Sequence, residues 1–343
     1  MTPLARTNPL HRRATFRAVV SAWERRTAVG CSGGVDSTAL LLIATEARNR
    51  GRIEPFVCLH VDHLTRPAST DDALVVSCAC AALRVPFVRL TVDGKEQGGV
   101  RATEDELRVA RYRALSKRVR PLGIDAVATA HTRDDQVETV LMRLLSGAGP
   151  MAAAGMQEVQ LLTFEGDEIR VVRPLLEATR AELLEIVRDA GVTTVEDPSN
   201  ADVSYRRNRL RSRIVPEIAA AFPGFDGALL RSVALARHDA ELLDAMARNA
   251  ANDDEIVVRL DDRVSIDRSW LRHAHPALSS RVIRLALAAL NTGDARALTR
   301  ERTEIVRVAA AGRTGARIEL PGGLIAIIRS NSVDIETKGA TSD

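Results

Sequence analysis

Apolar and polar positions follow a repeating grammar from the first strand-like run through Ala190. Short apolar runs of strand length give way to stretches with apolar residues at helical spacing, and the exchange recurs. Thr27–Cys31 is short, apolar and bounded by glycine, and predicts a strand; Asp36–Arg48 predicts a helix. Pro55–Val61 reads as a buried strand and Asp71–Leu83 as a helix. Pro86–Val92 alternates as a strand does, and Glu104–Val119 is a charged amphipathic helix. Asp125–Ala130 and Asp134–Leu145 repeat the pair, and Ile169–Val172 precedes the helix Arg180–Ala190. Such β-α alternation predicts an α/β fold, a doubly wound parallel sheet covered on both faces. In that architecture ligands gather at the carboxyl ends of strands.

The grammar changes after Pro216. Long helical patterns cover Leu229–Arg248 and Leu278–Leu290. The runs Ala316–Leu320 and Leu324–Ile328 flank Pro321-Gly322-Gly323 as a β-hairpin would, with a third strand expected at Ser332–Ile335. The expected organisation is an N-terminal arm over 1–24, an α/β domain over 25–218, and a smaller, mainly helical domain over 219–343 that ends in the hairpin. The first 23 residues hold four arginines and no acid, and a disordered or loosely packed arm is expected there.

Composition narrows the class. The 343 residues are 45% hydrophobic and 27% charged, as in soluble globular proteins. The formal net charge is only +3, so no strongly basic field covers the whole molecule. Its cations are lopsided, however: Lys95, Lys117 and Lys338 are the three lysines, and the rest are arginines. A GC-rich genome explains that bias plainly; phosphate recognition by guanidinium forks can be argued only where arginines cluster. The four cysteines, Cys31, Cys58, Cys78 and Cys80, form no C-x-x-C pair and suit a reducing compartment. No apolar run approaches the ~20 residues of a membrane span. A cytoplasmic protein with no membrane partner is expected.

The densest chemistry follows the first strand: Ser32-Gly33-Gly34-Val35-Asp36-Ser37, leading at once into an apolar helix. Glycines let the backbone approach a ligand closely, and a helix start offers unpaired N–H groups and a partial positive charge. Together they make an anion seat, with Ser32 and Ser37 as hydroxyl donors. Asp36 repels phosphate but can hold Mg2+ against it. The lysine of a Walker loop is missing, and the spacing is not that of the G-x-G-x-x-G dinucleotide turn.

Two further patches lie where other predicted strands end, and a third follows them. His60–Thr70 places Asp62 and His63 at the sheet's carboxyl edge. In Ala130–Gly149, His131, Asp134, Asp135 and Glu138 recur at three- and four-residue spacings that share a helix face. Helix capping accounts for one of these acids, but not for three acids and a histidine opposite the seat. Asp36 and Asp135 are candidates to share Mg2+, and Glu138 to bind a cationic substrate. Downstream, Arg206, Arg207, Arg209, Arg211 and Arg213 fall within eight residues, with Tyr205 and Asn208 interleaved. A solvated helix face is the plain reading; an electropositive stripe for RNA phosphates is the functional one.

Ser-Gly-Gly-Val-Asp-Ser resembles the pyrophosphate loop of the N-type ATP pyrophosphatases, and the whole set resembles one family, the tRNA(Ile)-lysidine synthetases. That family pairs the loop with H-x-x-D-D-x-x-E-T, matched at His131, Asp134, Asp135, Glu138 and Thr139. It also carries E-D-x-S-N-x-D-x-x-Y-x-R-N-R, matched from Glu196 to Arg209; Arg173–Leu176 and Glu106–Leu115 fit as well. The resemblance implies a ligase that uses ATP and Mg2+ to adenylate cytidine 34 of a tRNA(Ile) with a CAU anticodon. Free L-lysine then displaces AMP. It implies phosphate binding by Ser32, Gly33, Gly34, Val35, Asp36 and Ser37, and metal binding by Asp36 and Asp135. Catalysis would fall to Asp36, His131 and Asp135, lysine recognition to Glu138 with Asp36, and tRNA contact to Arg111, Arg207, Asn208 and Arg209. A homodimer is an option that the family admits. A tRNA 2-thiolation enzyme of the same superfamily is the alternative; it would need paired cysteines.

Overall fold

The computed structural model describes residues 9–62, 69–92, 104–147, 154–164, 166–195, 202–260, 262–290, 300–320 and 323–337. His63, residues 196–201 of the Glu196–Arg209 motif, and Pro321-Gly322 lie outside them. The chain divides into two compact units, Met1–Val233 and Ala234–Asp343.

In the first unit the sheet has the order β3-β2-β1-β4-β6-β5, formed by β1 (Thr27–Gly30), β2 (Cys58–Asp62), β3 (Phe87–Thr91), β4 (Ala126–Ala128), β5 (Val159–Phe164) and β6 (Asp167–Val172). β1 to β4 and β6 run parallel, as the alternation predicts; β5 returns antiparallel to β6 at the edge. That edge strand escapes the sequence reading because Val159 and Leu161 are exposed, so its pattern carries no buried run.

The helices are α1 (Ala14–Ala22), α2 (Val35–Asn49), α3 (Ser69–Leu83), α4 (Glu104–Val119), α5 (Arg133–Leu145) and α6 (Arg180–Ala190). One face of the sheet packs against residues of α1, α2, α3 and α6, among them Phe16, Leu40, Val76 and Leu183. The other packs against Tyr112, Leu115 and Val119 of α4. α2 is apolar nearly all round, with Leu40, Leu41 and Ile43 fully buried, as a helix between a sheet and other helices must be. The segment expected to be a loose arm is instead helical over Ala14–Ala22, and Phe16 and Val19 reach the core. Its apolar residues at helical spacing outweigh its arginine content.

Chain order reverses at β1. The chain builds outward through β2 and β3, then returns to place β4 on β1's other side. The crevice at the carboxyl ends of β1 and β4 is therefore the topological switch point of an open α/β sheet. The segments leaving those strands are Cys31–Gly34 and Thr129–Thr132.

The second unit is richer in strand than expected. A five-stranded antiparallel sheet, in the order β7-β8-β11-β10-β9, comprises Val257–Arg259, Arg263–Asp267, Arg317–Leu320, Leu324–Ile328 and Ser332–Thr337 as β7 to β11. Helices cover it through Ile283, Leu287 and Val306. The anticipated hairpin is its β9–β10 pair. Among the described residues no single helix is long and apolar enough to cross a membrane.

Candidate active site

Leaving β1, the backbone turns sharply at Gly33, where φ is +93°. A Cβ there would stand 2.8 Å from Val195 Cγ2 and 3.0 Å from Val76 Cγ2, so only glycine fits. The Val195 N–H donates to Gly33 O at 2.9 Å and ties the loop to the chain beyond α6. Ser37 Oγ is the loop's internal hub: it accepts from the amides of Ser32 and Gly33, each at 3.2 Å, and donates to Gly34 O at 3.0 Å. Behind the loop, His60 Nδ1 lies 2.8 Å from Cys31 O. A carbonyl only accepts, so Nδ1 carries the proton.

These bonds divide the labour within the seat. The Ser32 and Gly33 amides shape the loop. The donors aimed outward are those of the first turn of α2, which have no intrahelical acceptor. Gly34 is the N-cap of α2 and supplies no side-chain cap. By contrast, α5 and α6 are each closed by a complete capping box, Thr132 with Asp135 and Thr179 with Glu182. Of these three helix starts at the sheet's edge, α2 is the one left open to an anion.

Four carboxylates stand near this opening, in different states. Burial pushes Asp36 up to about 6, against the opposing pull of Arg180, whose Nη1 is 3.7 Å from Asp36 Oδ2. Asp134 Oδ2 accepts from the Arg180 backbone N–H at 2.9 Å and so joins the starts of α5 and α6. Burial would raise Asp135, but its hydrogen bonds with Thr132 and the charges of Arg207 and Arg211 hold it below the usual carboxylate range. Asp135 Oδ2 closes the cap while Oδ1 accepts from Arg207 Nη2 at 3.2 Å and Arg211 Nη2 at 3.1 Å. Glu138 is 2% exposed; its Oε2 accepts from Arg207 Nε and Arg211 Nη2, and its Oε1 from Arg211 Nε.

The two guanidiniums reach these acids from one continuous helical stretch. After the short helix Arg206–Arg209 the chain is π-helical over Leu210–Ile214. Arg207 and Arg211 are four apart and so share a helix face, and π-helical turns recur at functional sites. The arginine stripe is thereby sorted. Arg207 and Arg211 turn toward α5, while Arg206, Arg209 and Arg213 remain exposed. Arg211 was missed as a site residue, although its four-residue spacing from Arg207 was the available signal. Asn208 is partly buried, donating Nδ2 to Asp202 O at 2.9 Å. Arg209 Nε donates to Val203 O. Arg111 is exposed on α4. Asp62 has no exposed side-chain surface and pairs with Arg89 on the neighbouring strand.

His131 lies 3.0 Å from Thr129 Oγ1 through Nδ1. Burial, helped by Arg173 and opposed by Asp135, pushes it down to about 3. Arg173 itself is fully buried and donates to Gln157 O at 2.7 Å and Gln160 Oε1 at 2.9 Å.

Asp36 fits a divalent cation: its Oδ1 is buried and has no hydrogen-bond partner. Asp135 has both oxygens engaged, Oδ2 by Thr132 and Oδ1 by Arg207 and Arg211. Among the described residues no group of three or more His, Cys, Asp or Glu is arranged to hold a metal ion.

A glycine loop that opens an uncapped helix at the switch point, with a carboxylate on its first turn, defines an ATP-using domain of the PP-loop kind. The PP-loop domain family matches residues 9–218. The chain belongs, within that class, to the tRNA(Ile)-lysidine synthase family. It is 34% identical over 317 residues to the tRNA(Ile)-lysidine synthase of Methylobacterium nodulans, covering 86% of this chain and 88% of that one. The protein of the same name from Polaromonas naphthalenivorans is 36% identical, with 71% and 70% covered. The one from Deinococcus deserti is 39% identical over 65% of this chain, which spans only 39% of that relative's length. A U34-tRNA thiolase from Methanococcus maripaludis shares the fold, with a TM-score of 0.55 and 18% identity over 65% of this chain and 78% of that one.

Proposed function

We propose that the chain converts cytidine 34 of a tRNA(Ile) with a CAU anticodon to lysidine. The C2 oxygen of the base attacks the α-phosphorus of ATP and pyrophosphate leaves. The ε-amine of free L-lysine then attacks C2 and AMP leaves with the oxygen. The observation that carries this reading is the pairing of an uncapped helix start with the buried Glu138 and the partly buried Asp36 and Asp135. An anion seat alone serves nucleotide binding; acids beside it serve a cationic second substrate.

Each residue's part follows from its surroundings. The first amides of α2 stabilise charge on the departing pyrophosphate, a preorganised electrostatic effect. Mg2+ held by Asp36 would neutralise phosphate charge at that edge. Glu138 receives the lysine ammonium, which exchanges with one of the two guanidiniums already on that carboxylate. Burial disfavours the charged form of Asp36 and leaves its Oδ1 without a partner, and a bound divalent cation would relieve both. His131, pushed down to about 3, is neutral at working pH. It therefore orders the site through hydrogen bonds and does not act as an acid there. Arg207, released from Glu138, is placed to meet the reacting nucleotide, with Arg111, Asn208 and Arg209 toward the RNA.

Cys31, Cys58 and Cys80 lie together but are buried, and Cys78 alone is exposed, which does not favour a sulfur-delivering enzyme with an accessible cysteine pair. Free thiols also accord with a reducing, cytoplasmic setting. The test incubates the protein with ATP, labelled lysine and the CAU-bearing isoleucine tRNA. Label should enter the wobble base with one pyrophosphate released per lysine. Pyrophosphate release that ignores lysine would refute the assignment.

A further inference from the structure

The seat on α2 lacks the lysine with which Walker loops hold terminal phosphates, yet a cation stands beside it. Arg180 is the first residue of α6. Its backbone is held twice, by the Thr179–Glu182 capping box around it and by its own N–H to Asp134 Oδ2 at 2.9 Å. The side chain is nonetheless 47% exposed, and its Nη1 stops 3.7 Å from Asp36 Oδ2, beyond hydrogen-bonding distance. It is the largest charge acting on Asp36.

Structural reasons for this arginine are weak. A half-exposed ion pair without a hydrogen bond contributes little to stability. A cation in the first turn of α6 also sits at the wrong end of the helix dipole. What the position does supply is a guanidinium on a fixed backbone, 3.7 Å from the second residue of α2, beside the amides of that helix start.

We propose that Arg180 contacts the leaving pyrophosphate directly, as the side-chain cation of the seat, and that Asp36 holds it in place while the nucleotide is absent. The proposal rests on the ATP pyrophosphatase reading of the site and adds a residue to it. Phosphate oxygens offer the guanidinium the short, charge-assisted, two-pronged bonds that Asp36 does not. Transfer of Arg180 to pyrophosphate also leaves Asp36 free for a cation.

Calorimetry with inorganic pyrophosphate and with AMP, on the full chain with and without magnesium, tests this. Loss of one charge-assisted contact predicts that Arg180→Ala and Arg180→Gln weaken pyrophosphate binding by about 10- to 100-fold. Arg180→Lys should retain part of it, and AMP affinity should stay within about twofold in all three. A merely structural arginine would instead weaken both ligands together and lower the melting temperature. Pyrophosphate affinity unchanged in folded Arg180→Ala and Arg180→Gln would overturn the proposal. Wild-type protein that binds neither pyrophosphate nor ATP would overturn the underlying reading of the site, a distinct result.

Discussion

Arg207 Nε donates to Glu138 Oε2 at 2.9 Å, joining residues 69 positions apart. Arg211 grips the same carboxylate through Nε and Nη2. Buried Glu138 is thus neutralised by the chain's own cations. A buried carboxylate stripped of its partners is strongly destabilising, so the acid needs a cation at all times: these guanidiniums at rest and, on our reading, a lysine ammonium during turnover.

Removal of that charge tests the role. A hydrogen bond to a charged group contributes about 1.5–3 kcal/mol, so Glu138→Gln should raise the lysine KM by about 10- to 100-fold. The ATP KM should move little, because Glu138 lies on α5 and not on the phosphate seat. Steady-state kinetics with lysine and ATP varied separately measures both. Normal lysine saturation in the variant would remove Glu138 from substrate recognition.

Much of this site was legible in the sequence, because strand ends and helix starts have strong local signatures. Ser32–Ser37 and His131–Glu138 fall where the β-α alternation turns over, and a parallel sheet must bring such turns to one edge. The engagement of Asp135 and Glu138 by Arg207 and Arg211 was not legible. It joins side chains 69 to 76 positions apart on different elements, and no local signal marks such a pairing. Nor could spacing show that Asp134 closes α6, since its partner is a backbone amide of another element. The downward displacement of His131 is likewise a product of tertiary burial, invisible where only residue type is known.

Gly33 is required twice over, sterically and conformationally. Gly33→Ala places a Cβ against Val195 Cγ2 at 2.8 Å on a backbone with φ of +93°. A side chain held at positive φ costs about 1–3 kcal/mol, so the melting temperature should fall and ATP affinity with it. Val195→Ala in the same chain removes the closest contact but leaves the 3.0 Å approach to Val76 Cγ2 and the positive φ. Thermal melts should therefore show partial rescue; full rescue would mean that the loop's left-handed turn is dispensable.

Asp36 and His131 give opposite pH signatures. Asp36 is raised from 3.8 to about 6, which corresponds to about 3 kcal/mol. The native state binds the extra proton between those values, so this stability is lost as pH rises through about 6 and stays lost at neutrality. Asp36→Asn should then raise the melting temperature at about pH 8 and have little effect near pH 4, while abolishing turnover. His131 is displaced the other way, from 6.5 to about 3, so its contribution is intact above about 6.5 and lost as pH falls. His131→Gln should flatten the acid limb of the stability profile and leave the alkaline limb alone. Melting curves of both variants across pH separate the two; an Asp36→Asn profile parallel to wild type would show that Asp36 titrates normally.

The outward arginines carry the last expectation. Arg206, Arg209 and Arg213 stay exposed while Arg207 and Arg211 face the acids, so on our proposal the outward three meet RNA and the inward two serve the chemistry. Each phosphate neutralised contributes about 0.7–0.9 to the slope of log affinity against log salt. Replacing Arg206, Arg209 and Arg213 together by alanine should lower that slope by about 2 and weaken tRNA binding alike for cognate and non-cognate sequences. Arg207→Ala should leave the slope nearly unchanged and depress the chemical step instead, because its guanidinium is directed at Glu138 and Asp135. Filter binding over a salt series, paired with single-turnover kinetics, reads the two sides separately. An unaltered slope in the triple variant would place the RNA on another face.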